Sequence, residues 1–274
     1  MARIPNTISP QQILATIGTP FAPLLIDVRR EEAWREAATM IPAARRRPPA
    51  GTEGWMGSLA ADQDIVAYCA HGGEVSQSVA ALFRAAGKRA AYLSGGIEAY
   101  IALGGPLVAK EGLPDRDWTA PTRWVTREKP KIDRIACPWL IRRFIDPDAR
   151  IFFVAAEHVL AAADELSAIP FDVPDTDFSH EGELCSFDAF IARFGLSHAP
   201  LNAVADIVRG ADTGRFELAP QAAGLAALSF GLSALHDSDE AAVEAGVTVY
   251  DALYAWAARA RAETHGWPPA GLAA

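Results

Sequence analysis

Cysteine is scarce in this chain. Its 274 residues include 3 cysteines, Cys69, Cys137 and Cys185, which are too few for a disulfide framework, and the odd count leaves at least one thiol free. Long apolar runs are also lacking, and none reaches the roughly 18 residues of a membrane-spanning helix. No apolar stretch follows the opening Met1-Ala2-Arg3-Ile4-Pro5-Asn6 in the manner of a signal peptide. A cytoplasmic protein with no membrane partner is therefore expected. Positive charge is short too: 25 Lys/Arg stand against 34 Asp/Glu, for a net charge of −9. The deficit is confined to one half. Residues 1–108 hold ten Lys/Arg and nine Asp/Glu, whereas residues 109–274 hold fifteen and twenty-five. An acidic second half lacks the basic stripe of a nucleic-acid surface, so no nucleic-acid partner is expected. Arg45-Arg46-Arg47, followed by two prolines, reads as an exposed loop. What is present, 50% hydrophobic and 22% charged residues, fits a globular protein with room for two domains.

Apolar runs rich in strand formers occur at Leu24–Val28 and Asp64–Tyr68, with a weaker one at Ala90–Leu93. Between the last two, Val75–Ala86 has a helical pattern that stops at Gly87, a C-terminal helix signal. Strand, helix and strand at this spacing predict a βαβ unit and a parallel sheet. The stretch 106–123 carries Pro106, Pro114 and Pro121 among polar residues, which is a linker composition. The division is therefore 1–108, a linker at 109–123, and 124–274. Both parts are expected to fold separately, with the linker cut first by proteases. The second part reads as mainly α-helical: Cys137–Ile145, Val154–Ile169, Phe187–Phe194, Leu201–Arg209, Pro220–Leu235 and Asp239–Arg261 have helical patterns. Ile151–Val154 is its one clear strand pattern. Trp124, Trp139 and Trp256 read as core anchors.

The first constellation of chemical interest is Cys69-Ala70-His71-Gly72-Gly73-Glu74-Val75-Ser76. A cysteine ends a strand, a glycine-bearing loop turns and a helix begins. Loop amides and the helix N-terminus favour thiolate over thiol. The same N–H groups can hold a transferred sulfur or an oxyanion, so Cys69 is the expected nucleophile and Ala70, His71, Gly72, Gly73, Glu74 and Val75 its substrate loop. His71 either polarises this site or serves as a hydrogen-bonding loop residue.

Cys69-Ala70-His71-Gly72, the helix to Gly87 and the run Leu93-Ser94-Gly95-Gly96-Ile97-Glu98-Ala99-Tyr100 together resemble the rhodanese family. Asp27-Val28-Arg29 resembles its early strand, and Ile41-Pro42-Ala43-Ala44 a degraded form of its turn after that strand. The resemblance covers about residues 8–108. It implies an α/β domain with a parallel sheet flanked by helices and a persulfide on Cys69, with Asp27 and Arg29 serving the fold. There is a departure: the distance from Cys69 to the helix-ending Gly87 is one residue longer than in the usual thiosulfate sulfurtransferases. The related phosphatases close a longer loop with an arginine. Here that place is Val75, preceded by Glu74, so a phosphatase is not implied. Glu74 repels a dianion, which points away from thiosulfate and toward a larger thiol or persulfide donor.

In the second part, Trp124-Val125-Thr126-Arg127 and the string from Pro130 to Pro147 are similar to the opening of the ChrB C-terminal type of chromate-resistance protein. Pro170-Phe171-Asp172, Ser179-His180, Cys185–Asp188, Ile207–Asp212 and Tyr250–Trp256 extend the resemblance to about residue 258. It implies a role in tolerance of chromate. The DNA-binding regulator of that name has a different N-terminal half, so a repressor function does not carry over.

Read from the residues, Asp133-Arg134 with Arg142-Arg143 forms an ion-pair network, or Arg127 and Arg134 face an oxyanion. Cys137, just before Pro138, is placed at a helix N-terminus, as a favoured thiolate or as a core residue. His180 and Cys185, with carboxylates between them, are either one side of a divalent-metal site or a capped loop with a packed cysteine. The expected additional ligands are Asp206, Asp212 and Glu240. His180 is expected to titrate near its ordinary value of about 6.5. The function expected from the whole is transfer of sulfane sulfur from a small-molecule donor to a thiol acceptor, with no cofactor needed for that step. The alternative is a non-enzymatic redox, metal or oxyanion sensor.

Overall fold

The computed structural model describes residues 5–60, 62–113 and 116–263. In the first part the strands are β1 (Thr7–Ile8), β2 (Leu24–Asp27), β3 (Thr39–Met40), β4 (Arg45–Arg46), β5 (Ile65–Tyr68), β6 (Ala90–Leu93) and β7 (Val108–Ala109). The helices are α1 (Pro10–Leu14), α2 (Glu31–Glu36), α3 (Thr52–Met56), α4 (Glu74–Ala85) and α5 (Gly96–Ala102). Five strands form one parallel sheet in the order β1-β6-β5-β2-β4. β3 and β7 form a small antiparallel pair beside it. Side chains alternate across the sheet as strand geometry requires. Leu24, Ile26, Val28, Ile65 and Ala67 face Val79 and Phe83 of α4. Leu25, Val66, Tyr68, Ala91 and Leu93 face the other way. Under the sheet, Asp27 and Arg29 are both buried, 2.5 Å apart, and the Tyr68 hydroxyl donates to Asp27 at 2.9 Å. Both residues thus serve the fold.

The second part contains β8 (Arg123–Arg127), β9 (Arg150–Val154) and β10 (Ile169–Pro170), a parallel three-stranded sheet in the order β10-β8-β9. Its helices are α6 (Asp133–Leu140), α7 (Val159–Leu166), α8 (Ser186–Phe194), α9 (Ala199–Asp212), α10 (Ala222–Leu235) and α11 (Asp239–Ala255). It is mainly helical, as its periodicity requires, although two strands flanking the expected one escape a reading by pattern. Trp124 packs edge-on to Phe178 with centroids 5.1 Å apart, and Trp139 lies 5.7 Å from Phe144. No helix of the described residues is long and apolar enough to cross a membrane.

Three local expectations need correction. Arg45 and Arg46 are a strand, not an exposed loop. Arg46 is buried and donates to the carbonyls of Asp27 and Arg47, so the edge of the sheet supplies the partners that a solvated loop would lack. Cys137 is not at a helix N-terminus. α6 starts at Asp133, four residues earlier, and Cys137 is fully buried inside it. The described part of the 106–123 stretch is also not an open linker. Gly112 lies against Phe194, and Arg116 forms a buried ion pair with Asp146 at 3.2 Å. One apolar cluster continues from Ile13, Leu25 and Ile41 through to Trp139, Phe144 and Tyr254.

Candidate functional sites

Cys69 follows directly on β5, and its loop closes at Gly73, the residue before α4. Two glycines hold this loop against the turn after β6. Gly72 (φ 67°) sits so close to that turn that a Cβ would lie 2.5 Å from the Leu93 carbonyl oxygen. A Cβ on Gly96 (φ 61°) would lie 2.3 Å from the Ala70 carbonyl oxygen and 2.4 Å from that of Cys69. Those carbonyls accept hydrogen bonds from Glu98 N and Ile97 N at 3.2 and 3.0 Å. The close approach explains why the chain carries glycine at both places.

Cys69 is 7% exposed and borders a cavity of about 210 Å³ lined by Arg29, Arg30, Ala33, His71, Glu74 and Val75 among others. Of the loop residues expected from the sequence, Ala70, His71, Gly73, Glu74 and Val75 line this cavity, whereas Gly72 packs against the turn after β6. The positive groups of this cavity are already matched. Arg29 is held by Asp27, Arg30 faces Glu74 at 3.4 Å, and His71 Nδ1 lies 3.0 Å from Glu98. Sequence reasoning passed over Ser76, whose buried hydroxyl is 3.2 Å from Cys69 Sγ. Its place in the first turn of the helix after a strand-ending cysteine is the signal that could have found it. The hydroxyl can donate to a thiolate, and its alternative acceptor is the Gly73 carbonyl at 3.4 Å. A hydrogen bond to a charged acceptor is worth about 1.5–3 kcal/mol. Ser76→Ala is accordingly expected to lower the rate of thiolate alkylation at Cys69 about tenfold at neutral pH while the far-ultraviolet circular dichroism stays unchanged.

The other two cysteines are fully buried, and burial pushes both thiols up, with the Asp133 carboxylate adding to the effect. Cys185 does not join His180. It precedes α8 and turns inward, where its N–H donates to Asp188 at 3.0 Å and its thiol at 3.3 Å. Asp188 is in turn held by Arg209 at 2.7 Å, and Asp206 pairs with that same arginine at 3.1 Å. Glu240 is exposed in the first turn of α11. Of the expected metal ligands, then, only His180 and Asp212 meet: Cys185 and Asp206 are engaged elsewhere, and Glu240 points to solvent.

Two carboxylates that sequence reasoning did not assign to this place complete the cluster. His180 Nε2 lies 3.2 Å from Asp212, 3.5 Å from Asp172 and 3.6 Å from Asp133. Hydrogen bonding to Asp172 and Asp212 raises the His180 imidazole to about 10, well above the expected value. Asp133 is pushed well up by burial and by Asp212 and Asp172. Burial works to raise Asp172 as well, but contacts from His180 and Arg127 outweigh it and leave it lowered. Arg127 and Arg134 both bind Asp172, at 2.6 and 3.2 Å, so their charges are matched by a carboxylate. Arg142 and Arg143 pair with Glu244 and Asp251 of α11, not with Asp133.

Comparison with known proteins agrees with this division of features. Residues 9–103 match the rhodanese-like domain family, and residues 124–257 match the family described as ChrB, C-terminal domain. Protein ChrB of Cupriavidus metallidurans is 34% identical over 161 residues, which is 58% of this chain and 48% of that protein. The chain thus spans about half the length of this curated relative. Among solved structures, a rhodanese-related protein from Thermoplasma volcanium is 21% identical, covers 39% of this chain and 98% of its own, and has a TM-score of 0.33. The rhodanese-like domain of an Anabaena protein is 24% identical, covers 39% and 80%, and has a TM-score of 0.35. The chain therefore joins a rhodanese-like domain at residues 9–103 to a ChrB-type C-terminal domain at residues 124–257.

Proposed function

We propose that the first domain carries sulfane sulfur as a persulfide on Cys69 and passes it to a thiol acceptor. The likeness of the second domain to the ChrB C-terminal domain supports a place for this chemistry in tolerance of chromate or a related oxyanion. The observation that carries the reading is the place of Cys69, 7% exposed beside a cavity in the loop between β5 and α4. Cys137 is fully buried, and Cys185, although it also borders a cavity, is itself fully buried with its thiol donating to Asp188. In the first step the Cys69 thiolate attacks the sulfane sulfur of the donor. A new S–S bond forms, the S–S bond within the donor breaks, and its electron pair leaves with the remaining thiolate or sulfite. The acceptor thiolate then attacks the outer sulfur of the persulfide and restores the Cys69 thiolate. Atoms and electrons balance with donor and acceptor alone.

Incubation with a sulfur donor is expected to add about 32 mass units, one sulfur atom, to the peptide bearing Cys69 and to no other. Cys69→Ser abolishes both the label and the transfer. Equal labelling of Cys137 or Cys185 would overturn the assignment. Repeated turnover with cyanide or a thiol as acceptor is the expected result, and a single release per chain would instead favour a sensor.

The matched charges around the cavity support a thiol persulfide over a dianionic donor. At about 8 Å in water each unit-charge pair contributes about 0.5 kcal/mol. Glu74→Arg changes the local charge by two against a dianion, and salt screening trims the effect. The kcat/KM for thiosulfate is expected to rise roughly tenfold, with little change for a neutral persulfide donor. An unchanged ratio of the two would remove Glu74 from donor selection.

A further inference from the structure

We propose that Asp133, His180 and Asp212 form a binding site for a first-row divalent cation in the second domain, separate from the sulfur chemistry of Cys69. The three supply one imidazole nitrogen and two carboxylate oxygens, and these atoms all lie within 4.8 Å of one another. Ligands about 2.1 Å from a common centre stand about 3.0–3.4 Å apart at octahedral or tetrahedral angles. His180 Nε2 is 3.2 Å from Asp212 and 3.6 Å from Asp133, so small side-chain shifts would suffice.

The independent sign of a missing ligand is Asp133. Its side chain is 1% exposed, and its Oδ1 has no hydrogen-bond partner among the described residues. Its Oδ2, the oxygen 3.6 Å from His180 Nε2, accepts from the Ser186 N–H at 2.6 Å and keeps a second lone pair for a cation. A buried carboxylate oxygen without a partner is costly. Three carboxylates converge on Nε2, which can offer one hydrogen at most. Asp172 is satisfied by Arg127, Arg134 and the Ser186 hydroxyl, which donates at 3.0 Å. Among the described residues neither Asp133 nor Asp212 has an arginine or lysine within ion-pair distance. A dication between them would neutralise both and occupy the free lone pairs.

The backbone holds the arrangement. Ile132, just before α6, has φ 36°, a conformation that a β-branched residue adopts only under constraint. Its N–H donates to Ser229 at 2.6 Å and its carbonyl accepts from Tyr250 at 3.0 Å, which fixes the direction of Asp133. His180 is 40% exposed, so one side of the site is open to water or a further ligand. Mixed nitrogen and carboxylate donors suit Zn²⁺ or Mn²⁺ and disfavour soft cations such as Cu⁺.

The test uses the full chain purified without a metal-affinity tag, stripped with chelator, and reloaded with Zn²⁺ or Mn²⁺. Metal content and melting temperature are read together, because a ligand bound only to the native state raises the melting temperature by mass action. One equivalent of at least one of these metals per chain and a raised melting temperature are expected. Both are lost in Asp212→Asn and Asp133→Asn and kept in Cys185→Ser. Asp212 is part-exposed, so Asp212→Asn carries the test if the Asp133 variant does not fold. Persulfide formation at Cys69 is expected to be unchanged in Asp212→Asn, which keeps failure of this site distinct from failure of the sulfur reading. The proposal is overturned if neither metal binds stoichiometrically, or if Asp212→Asn keeps the same metal content and thermal shift as the parent.

Discussion

Gly96→Ala is expected to destabilise the protein by about 2–5 kcal/mol and to abolish persulfide formation at Cys69. Two costs combine. A left-handed backbone costs a residue with a Cβ about 1–2 kcal/mol, and Gly96 has φ 61°. Overpacking adds typically about 1–3 kcal/mol, because the new methyl would stand 2.3 and 2.4 Å from the carbonyl oxygens of Ala70 and Cys69. Those oxygens cannot simply retreat, since Glu98 N and Ile97 N donate to them. The strain falls on the Cys69 loop, so stability and chemistry suffer together. Gly87→Ala is the control. Gly87 also has a positive φ, 79°, but a Cβ there meets nothing within 4 Å, so only the backbone cost applies and persulfide formation persists. Urea denaturation of both variants, with mass spectrometry of the Cys69 peptide, decides the matter. Equal losses in the two variants would show that the close approach at Gly96 has no energetic weight.

Phe144→Ala is expected to cost about 3–5 kcal/mol, the usual range for a buried aromatic truncated in a packed core. Phe144 is fully buried and lies where the two parts meet. Its carbonyl accepts from Ala43 N at 2.7 Å, and its ring stands 5.5 Å from Tyr254 and 5.7 Å from Trp139. A Cβ on Gly18 would be 2.4 Å from its ring, so the first part's backbone rests on it. The protein is therefore expected to unfold in one transition, with the loss felt in both parts. Amide hydrogen exchange of β5 in the first part and α9 in the second reads this directly. Faster exchange in α9 alone, with β5 unchanged, would show that the parts are energetically independent and that the shared apolar cluster does not couple them.

The residues around Cys69 could be read from the sequence because their chemistry is contiguous. A strand, a cysteine, a glycine loop and a helix follow one another within a few residues, and the period of the apolar side chains marks where each begins. The helices of the second part were legible for the same reason. Periodicity reports on local geometry, and α8 and α9 carry it. Cys137 and the His180–Cys185 pair show where that reasoning stops. Proximity along the chain placed Cys185 beside His180, but the start of α8 turns its thiol away to Asp188. The pattern could not show that α6 begins at Asp133, because its onset is set by Ser229 and Tyr250, distant residues that hold Ile132 in a strained conformation. The sequence by itself therefore determined the parallel sheet, the place of Cys69 between a strand and a glycine loop, and the helical character of the second domain. Only the tertiary structure decided which carboxylates surround His180. Asp133, Asp172 and Asp212 are far apart in the chain and are brought together by packing, which no local pattern records.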